Sequence, residues 1–228
     1  MIEAVTFDWG QTLVQFEWDD GLLAAGHRAG LEALGRGAEA DAFTRRFRDE
    51  LLPGFVRGAD YEALLRDELG LDDGALRAYL AAEHRVWEPN IALLGSAHAL
   101  LEALRARGVR LGVVANHWPE PAWIVRDEIE RLGVAARVDA VVLAGEVGAR
   151  KPDPAIFERA LAELGVDATA VLHVGDRLEE DVAGAAALGM TTAQALWFDA
   201  DDTPAGVEPD YLAFTPMDVL NAVRRLAP

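Results

Sequence analysis

The chain has 228 residues, 51% of them hydrophobic, so it can bury a substantial core and disorder is not expected. Its 39 acidic residues outnumber 21 basic ones for a formal charge of -18, so nucleic acid or an anionic membrane would meet repulsion over most of the surface, whereas a small anion held by a few local donors is allowed. Cys is absent, which excludes disulfides and thiolate chemistry; no leader-like start and no membrane-length apolar run is present, and a soluble cytoplasmic protein is expected.

The chain opens with "EAVTFDWGQTLV", an apolar run from Ile2 to Phe7 that stops at Asp8, as a buried strand ending in a loop would. From about Trp18 to Trp87 the apolar residues recur at three- and four-residue spacing. Stretches such as "DDGLLAAGHRAGLEALG" and "DGALRAYLAAEHRVW" start on acids, and several end on Gly, which predicts a block of roughly four helices and no strand. Beyond it, "SAHALLEALRARG" reads as a helix and "VRLGVVAN" as a strand. "PEPAWIVRDEIERLG", "PDPAIFERALAELG" and "LEEDVAGAAALG" continue as helices, separated by the strands "VDAVVLAG" and "TAVLHVGD". "MTTAQALWF" and "DYLAF" follow as further strands, the polar stretch "DADDTPAGVEPD" between them as a loop, and "PMDVLNAVRRL" as a last helix.

Short apolar strands alternating with helices predict a doubly wound parallel α/β sheet. Residues 1–15 and 92–228 are assigned to that Rossmann-like core, and residues 16–91 to a helical insertion after the first strand.

Ligands of such sheets collect outside the carboxyl ends of the strands. That edge is predicted to carry Asp8, Ala115 and Asn116, Lys151, Asp176 and Asp181. Any one of these is ordinary as a cap or turn residue. Together they supply three carboxylates, an amide and the single lysine of a chain whose other 20 basic residues are arginine, a set that suits a hard cation such as Mg²⁺ sharing an anion with the ammonium.

The order and spacing of these pieces resemble the haloacid dehalogenase superfamily. "FDWGQTL" is similar to its first motif, Asp-x-Asp-x-Thr; "VVAN" to its second, a strand ending in Ser or Thr; "GARKPDPAIF" to its lysine motif; and "VGDRLEEDVAGA" to its Gly-Asp motif with a further acid. The resemblance implies that residues 16–91 are a helical cap, and that Asp8 is a nucleophile forming an aspartyl intermediate. Lys151 would neutralise Asp8 and the transferring group, and Asn116 would offer amide donors beside that group. Mg²⁺ would be held by Asp8, Asp176 and the main-chain carbonyl of Gly10, with Asp181 supporting the metal shell.

Two positions depart from the pattern. Gly10 stands where phosphatases of the family carry their general acid and base, and Ala115 where they carry a hydroxyl. General acid–base catalysis is worth about 10² to 10⁴ in rate, whereas phosphoryl transfer depends mainly on positioning and charge neutralisation. The reading is therefore a Mg-dependent phosphatase acting on a small, anionic molecule and favouring leaving groups that need no proton. Two alternatives stay open: a 2-haloacid dehalogenase using Asp8 without metal, and a non-catalytic binder retaining the fold. A phosphonate hydrolase would need a second lysine, which the insertion lacks. Oligomeric state is left open.

Among the remaining residues, His27, His84 and His98 read as surface or helix-packing residues, and His173 as a satisfied core residue. His117, directly after Asn116, is a stand-in for the missing acid or an ordinary loop residue. Trp9 follows the nucleophile, and Trp18, Trp87 and Trp118 line a crevice or pack in a core. "FTRRFR" is a solvated helix face or an attractor of anions.

Overall fold

Four apolar runs with little polar interruption form the centre of a parallel sheet, because strands covered by helices on both faces must be apolar on both faces. In the computed structural model, which describes residues 1–17, 19–52, 60–117, 120–198 and 206–226, these are β1 (Ala4–Phe7), β4 (Arg110–Ala115), β5 (Ala140–Leu143) and β6 (Val171–Gly175). β7 (Thr191–Ala195) and β8 (Tyr211–Ala213) complete the sheet in the order β5-β4-β1-β6-β7-β8. All its pairings are parallel. The chain builds outward from β1 to β4 and β5 on one side, then to β6, β7 and β8 on the other. β1 is therefore the topological switch point, where the crossovers diverge and leave a crevice at the strand ends.

Helices α5 (Ala97–Arg105), α6 (Ala122–Arg131), α7 (Ala144–Val147), α8 (Pro154–Leu164), α9 (Gly184–Ala187) and α10 (Pro216–Arg225) form the connections and the C-terminal element. α8 shows how the sequence starts a helix: Asp153 accepts from the Ala155 N–H, and Pro154 follows at the first position, where no backbone donor is needed. Its apolar face, Ile156, Phe157, Ala160 and Leu164, packs with Val114, Val142 and Val171 of the sheet.

The chain divides into two units: Met1–Gln15 with Leu93–His117 and Arg126–Pro228, and Phe16–Ala92 with Trp118–Val125. The second is helical, with α1 (Asp20–Ala33), α2 (Ala40–Arg46), α3 (Tyr61–Leu69) and α4 (Asp73–Trp87). Asp19, Asp60 and Asp72 each accept a backbone N–H at a helix start. The lack of a side chain at Gly26 lets α1 and α4 come close, since a Cβ there would lie 2.4 Å from Trp87 Nε1. Leu23, Leu31, Phe43, Phe47, Leu65, Leu80 and Trp87 fill this unit's core.

Between Trp18 and Trp87 the described residues hold no strand, as expected, but two short strands not identified from the sequence, β2 (Val14–Phe16) and β3 (Ile91–Leu93), pair just outside that span. Three residues are too few for a two-residue period to stand out from neighbouring loops. The "FTRRFR" stretch buries Phe43 and Phe47, while Arg46 pairs with Glu50 and Glu68 and Arg48 with Asp49. Of the tryptophans proposed for a crevice, Trp87 is buried in the helical core and donates to the Leu22 carbonyl; Trp9, directly after Asp8, is buried and donates to Glu128. Trp18 and Trp118 lie outside the described residues, as does most of the stretch 199–210.

Candidate active site

Asp8 and Asp176 leave neighbouring strands at the same level. Phe7 is in register with Val174, and the Asp8 N–H donates to the Val174 carbonyl at 2.8 Å. Gln194 on β7 donates to the Asp176 carbonyl at 3.1 Å, which fixes the start of the following loop.

Asp181 reaches the same spot by a local device. After Asp176 the chain turns into a π-helical turn, Leu178–Ala183, in which the Val182 N–H bonds the Arg177 carbonyl, and single π turns of this kind often mark functional sites. The turn folds the Asp181 carboxyl back over Gly175, so closely that a Cβ on Gly175 would lie 2.2 Å from Asp181 Cγ. The glycine of "VGD" is thus required by the approach of a side chain six residues later.

Lys151, in the loop before α8, joins these groups. Its ammonium donates to Asp8 Oδ1 at 2.5 Å and to Asp181 Oδ1 at 2.6 Å, with only 2% of the residue exposed. His173 on β6 completes a buried chain: its Nε2 lies 3.1 Å from Asp181 Oδ1 and its Nδ1 2.8 Å from Thr6 Oγ1. Because an ionised carboxylate only accepts, Nε2 carries the proton and Nδ1 accepts from the Thr6 hydroxyl.

The electrostatics follow from burial and from three carboxylates sharing one ammonium. Burial raises Asp8 to about 6, with Lys151 opposing and Asp181 adding to the rise. Burial, then repulsion from Asp8 and Asp181, raises Asp176 to about 8. Asp181 goes the other way: burial would raise it, but Lys151 and His173 outweigh that and hold it below the ordinary carboxylate range. Burial would lower Lys151, yet Asp181 and Asp8 together hold its pKa above the usual value, so the ammonium stays charged.

The residues expected at the sheet edge are not all engaged as expected. Asp8, Lys151, Asp176 and Asp181 come together, and oxygens of the three carboxylates lie within 4.8 Å of one another. Ala115 is fully buried at the end of β4. Gly10 lies in the loop two residues after Asp8, and a Cβ there would meet nothing within 4 Å.

Asn116, expected to offer amide protons to a transferred group, commits both to protein acceptors. Nδ2 donates to the Lys151 carbonyl at 2.9 Å and to Glu180 Oε2 at 3.0 Å, and Oδ1 accepts the Lys151 N–H at 2.8 Å. His117 Nε2 accepts from the Gly145 N–H at 2.9 Å, so this nitrogen carries no proton to give to a leaving group.

Thr6, His173 and Glu180 were not singled out from the sequence as site residues. The first two had a faint signal: both are polar within apolar strands, and His173 stands two residues before Gly175, hence on the same strand face. Their direct opposition in register is a tertiary fact.

A hard cation fits this donor set. Asp176 Oδ1 is buried with no hydrogen-bond partner among the described residues, beside Asp8, and its pKa is raised by burial first and then by the negative charge of Asp8 and Asp181. Asp181 is the least available of the three, since Oδ1 already accepts from Lys151 and His173 and Oδ2 from the Arg177 N–H.

The chain is 30% identical over 204 residues to glyceraldehyde 3-phosphate phosphatase of Pyrococcus abyssi, covering 87% of this chain and 82% of that protein. Other curated relatives are matched over only 54% and 44% of their own length. Among solved structures, the HAD phosphatase from Thermococcus onnurineus superposes with a TM-score of 0.68 at 24% identity, covering 97% of this chain and 98% of that one. The 2-haloacid dehalogenase from Pseudomonas syringae pv. Tomato DC3000 superposes with a TM-score of 0.67 at 26% identity over 100% of both chains. The description haloacid dehalogenase-like hydrolase matches residues 2–189, and the chain belongs to that family.

Proposed function

We propose that the protein is a Mg²⁺-dependent phosphatase of small anionic phosphoesters, with Asp8 as its nucleophile. The observation that carries this reading is the buried contact of Asp8 with Lys151 at 2.5 Å, beside the unpartnered Oδ1 of Asp176. The Asp8 carboxylate attacks phosphorus, the bond to the leaving oxygen breaks with its electron pair going to that oxygen, and an aspartyl phosphate forms on Asp8; water then cleaves that acyl phosphate and releases phosphate.

Lys151 holds Asp8 in its ionised form and offsets charge that builds on the transferring group. Asp8, Asp176 and the Gly10 carbonyl would hold Mg²⁺, with Asp181 behind them orienting Lys151. Bound there, the ion supplies further neutralisation of the phosphoryl oxygens. Positive charge matters more here because the surrounding protein is strongly acidic.

No side chain at position 10 can protonate the leaving oxygen, and His117 is turned to the Gly145 amide. Acyl and aryl phosphates, whose leaving groups depart as stable anions, are therefore the favoured substrates over alkyl phosphates.

The test is hydrolysis of acetyl phosphate and of p-nitrophenyl phosphate with and without Mg²⁺, for the wild type and Asp8→Asn. Mg²⁺-dependent turnover that vanishes in Asp8→Asn is the expected result; activity surviving in Asp8→Asn rejects the nucleophile. Chloride release from a 2-haloacid without metal would instead support the dehalogenase reading, which leaves the Asp176 carboxylate without a task.

A further inference from the structure

We infer that Asn116 and Glu180 are positioning residues that anchor the main chain of Lys151, and that Asn116 is not a ligand of the transferring group. The inference rests on the proposed role of Lys151 as the partner of Asp8. An asparagine amide has two protons and one acceptor oxygen. Here all three functions are engaged within the protein, two of them on the N–H and carbonyl of Lys151 itself. The amide's orientation is set by its partners: a carbonyl and a carboxylate lie on the nitrogen side and an N–H on the oxygen side, so the flipped orientation would place acceptor against acceptor.

Glu180 fixes the second amide proton through Oε2. Its other oxygen faces two guanidinium groups, Arg150 at 3.9 Å and Arg177 at 4.0 Å, too far for hydrogen bonds. Glu180 stands next to Asp181 on the same π-helical turn. One turn thus supports Lys151 at both ends, with Asp181 on its ammonium and Glu180, through Asn116, on its peptide. The lysine side chain has four methylenes of freedom, and a tethered peptide is what makes its contact with Asp8 reproducible. A displacement of about 1 Å in such a group costs on the order of 10²-fold in rate.

The experiment compares Asn116→Ala, Glu180→Ala, Glu180→Gln and the double variant Asn116→Ala/Glu180→Ala in the full chain. The readouts are kcat and KM for acetyl phosphate with Mg²⁺, and the exchange rate of the Lys151 amide proton by NMR. The expected result is a fall in kcat of about 10- to 100-fold for Asn116→Ala and a smaller fall for Glu180→Ala. KM should change little, and the double variant should be no worse than Asn116→Ala. Lys151 amide protection should fall about tenfold or more in both alanine variants. Glu180→Gln, whose amide oxygen still accepts from Asn116, should restore most of both quantities.

Wild-type kcat and Lys151 exchange in Glu180→Ala, or a defect in Asn116→Ala confined to KM, overturns the inference. So does a Glu180→Gln variant as impaired as Glu180→Ala, which would make the charge and not the hydrogen bond decisive. If the wild type shows no Asp8-dependent turnover, the proposed function fails, while Lys151 exchange still decides the anchoring. Should Asn116→Ala not fold, the two Glu180 variants carry the test alone.

Discussion

Replacing Lys151 by methionine keeps the length of the side chain and removes the only cation that touches both Asp8 and Asp181 among the described residues. The two carboxylates lose contacts of 2.5 and 2.6 Å in surroundings where the lysine, Asp8 and Asp181 side chains are 1%, 9% and 1% exposed. Removing one partner of a buried ion pair costs about 3–5 kcal/mol, because the remaining charge stays desolvated. For a chain of 228 residues each kcal/mol corresponds to about 2–4 °C, so Lys151→Met should melt ~6–20 °C below the wild type at pH 7. Asp8→Asn should act in the opposite direction. Asp8 is raised from 3.8 to about 6 in the fold, so at pH 7 its ionised form opposes folding. The amide removes that charge, and Lys151 keeps Asp181, for a gain of ~1–3 kcal/mol. The assay is thermal denaturation of both variants in EDTA at pH 7. A Lys151→Met variant within 2 °C of the wild type, or an Asp8→Asn variant less stable than Lys151→Met, would show that the ammonium is not the charge balance of this site.

Gly10→Asp should enter without steric cost, since a Cβ there meets nothing within 4 Å, and should raise alkyl phosphate turnover by about 10²- to 10⁴-fold; an unchanged ratio of alkyl to aryl turnover refutes the role given to this position. Gly175→Ala puts a methyl group 2.2 Å from Asp181 Cγ and should cost about 1–3 kcal/mol with loss of turnover, read by melting and by kcat; wild-type values in both would refute the close approach.

The helical unit predicts a pH effect of its own. Glu83 accepts from Tyr61 at 2.9 Å and from Tyr79 at 3.3 Å, and lies 3.9 Å from His27. Burial raises Glu83 well above 4.5, with Tyr61 and Tyr79 opposing and Glu120 adding to the rise, and burial lowers His27 to about 4. The rise of Glu83 makes stability fall as pH climbs past 4.5, whereas the lowering of His27 makes stability climb between pH 4 and 6.5, so the two slopes oppose each other there. Above pH 6.5 His27 no longer contributes, and the fall that Glu83 causes is left unopposed. Glu83→Gln should abolish that fall and leave a rise between pH 4 and 6.5 from His27; parallel stability curves for the two proteins from pH 5 to 9 would refute it.

How much of this could be read without coordinates differs from residue to residue. The strand runs before Asp8, Asn116 and Asp176 were legible because a strand buried on both faces has to be apolar throughout, and each run ends where the chain meets the loop at the sheet edge. Lys151 was legible because every other basic residue is arginine. β2 and β3 were not, being short enough to take their character from pairing and not from their own residues.

Local chemistry along the chain determined the parallel α/β architecture, the inserted helical block, and which acids and which lysine stand at the strand ends. It could not determine which hydrogen bonds those groups make. Asn116 next to a strand end looks the same in sequence whether its amide faces a substrate or the Lys151 peptide, 35 positions away. His173 looks like any polar residue in a buried strand until register sets it against Thr6 and the π-helical turn brings Asp181 down upon it. Hydrogen bonds between residues distant in the chain depend on register and on backbone turns, which only the packed structure sets; the periodicity of apolar residues carries no information about them.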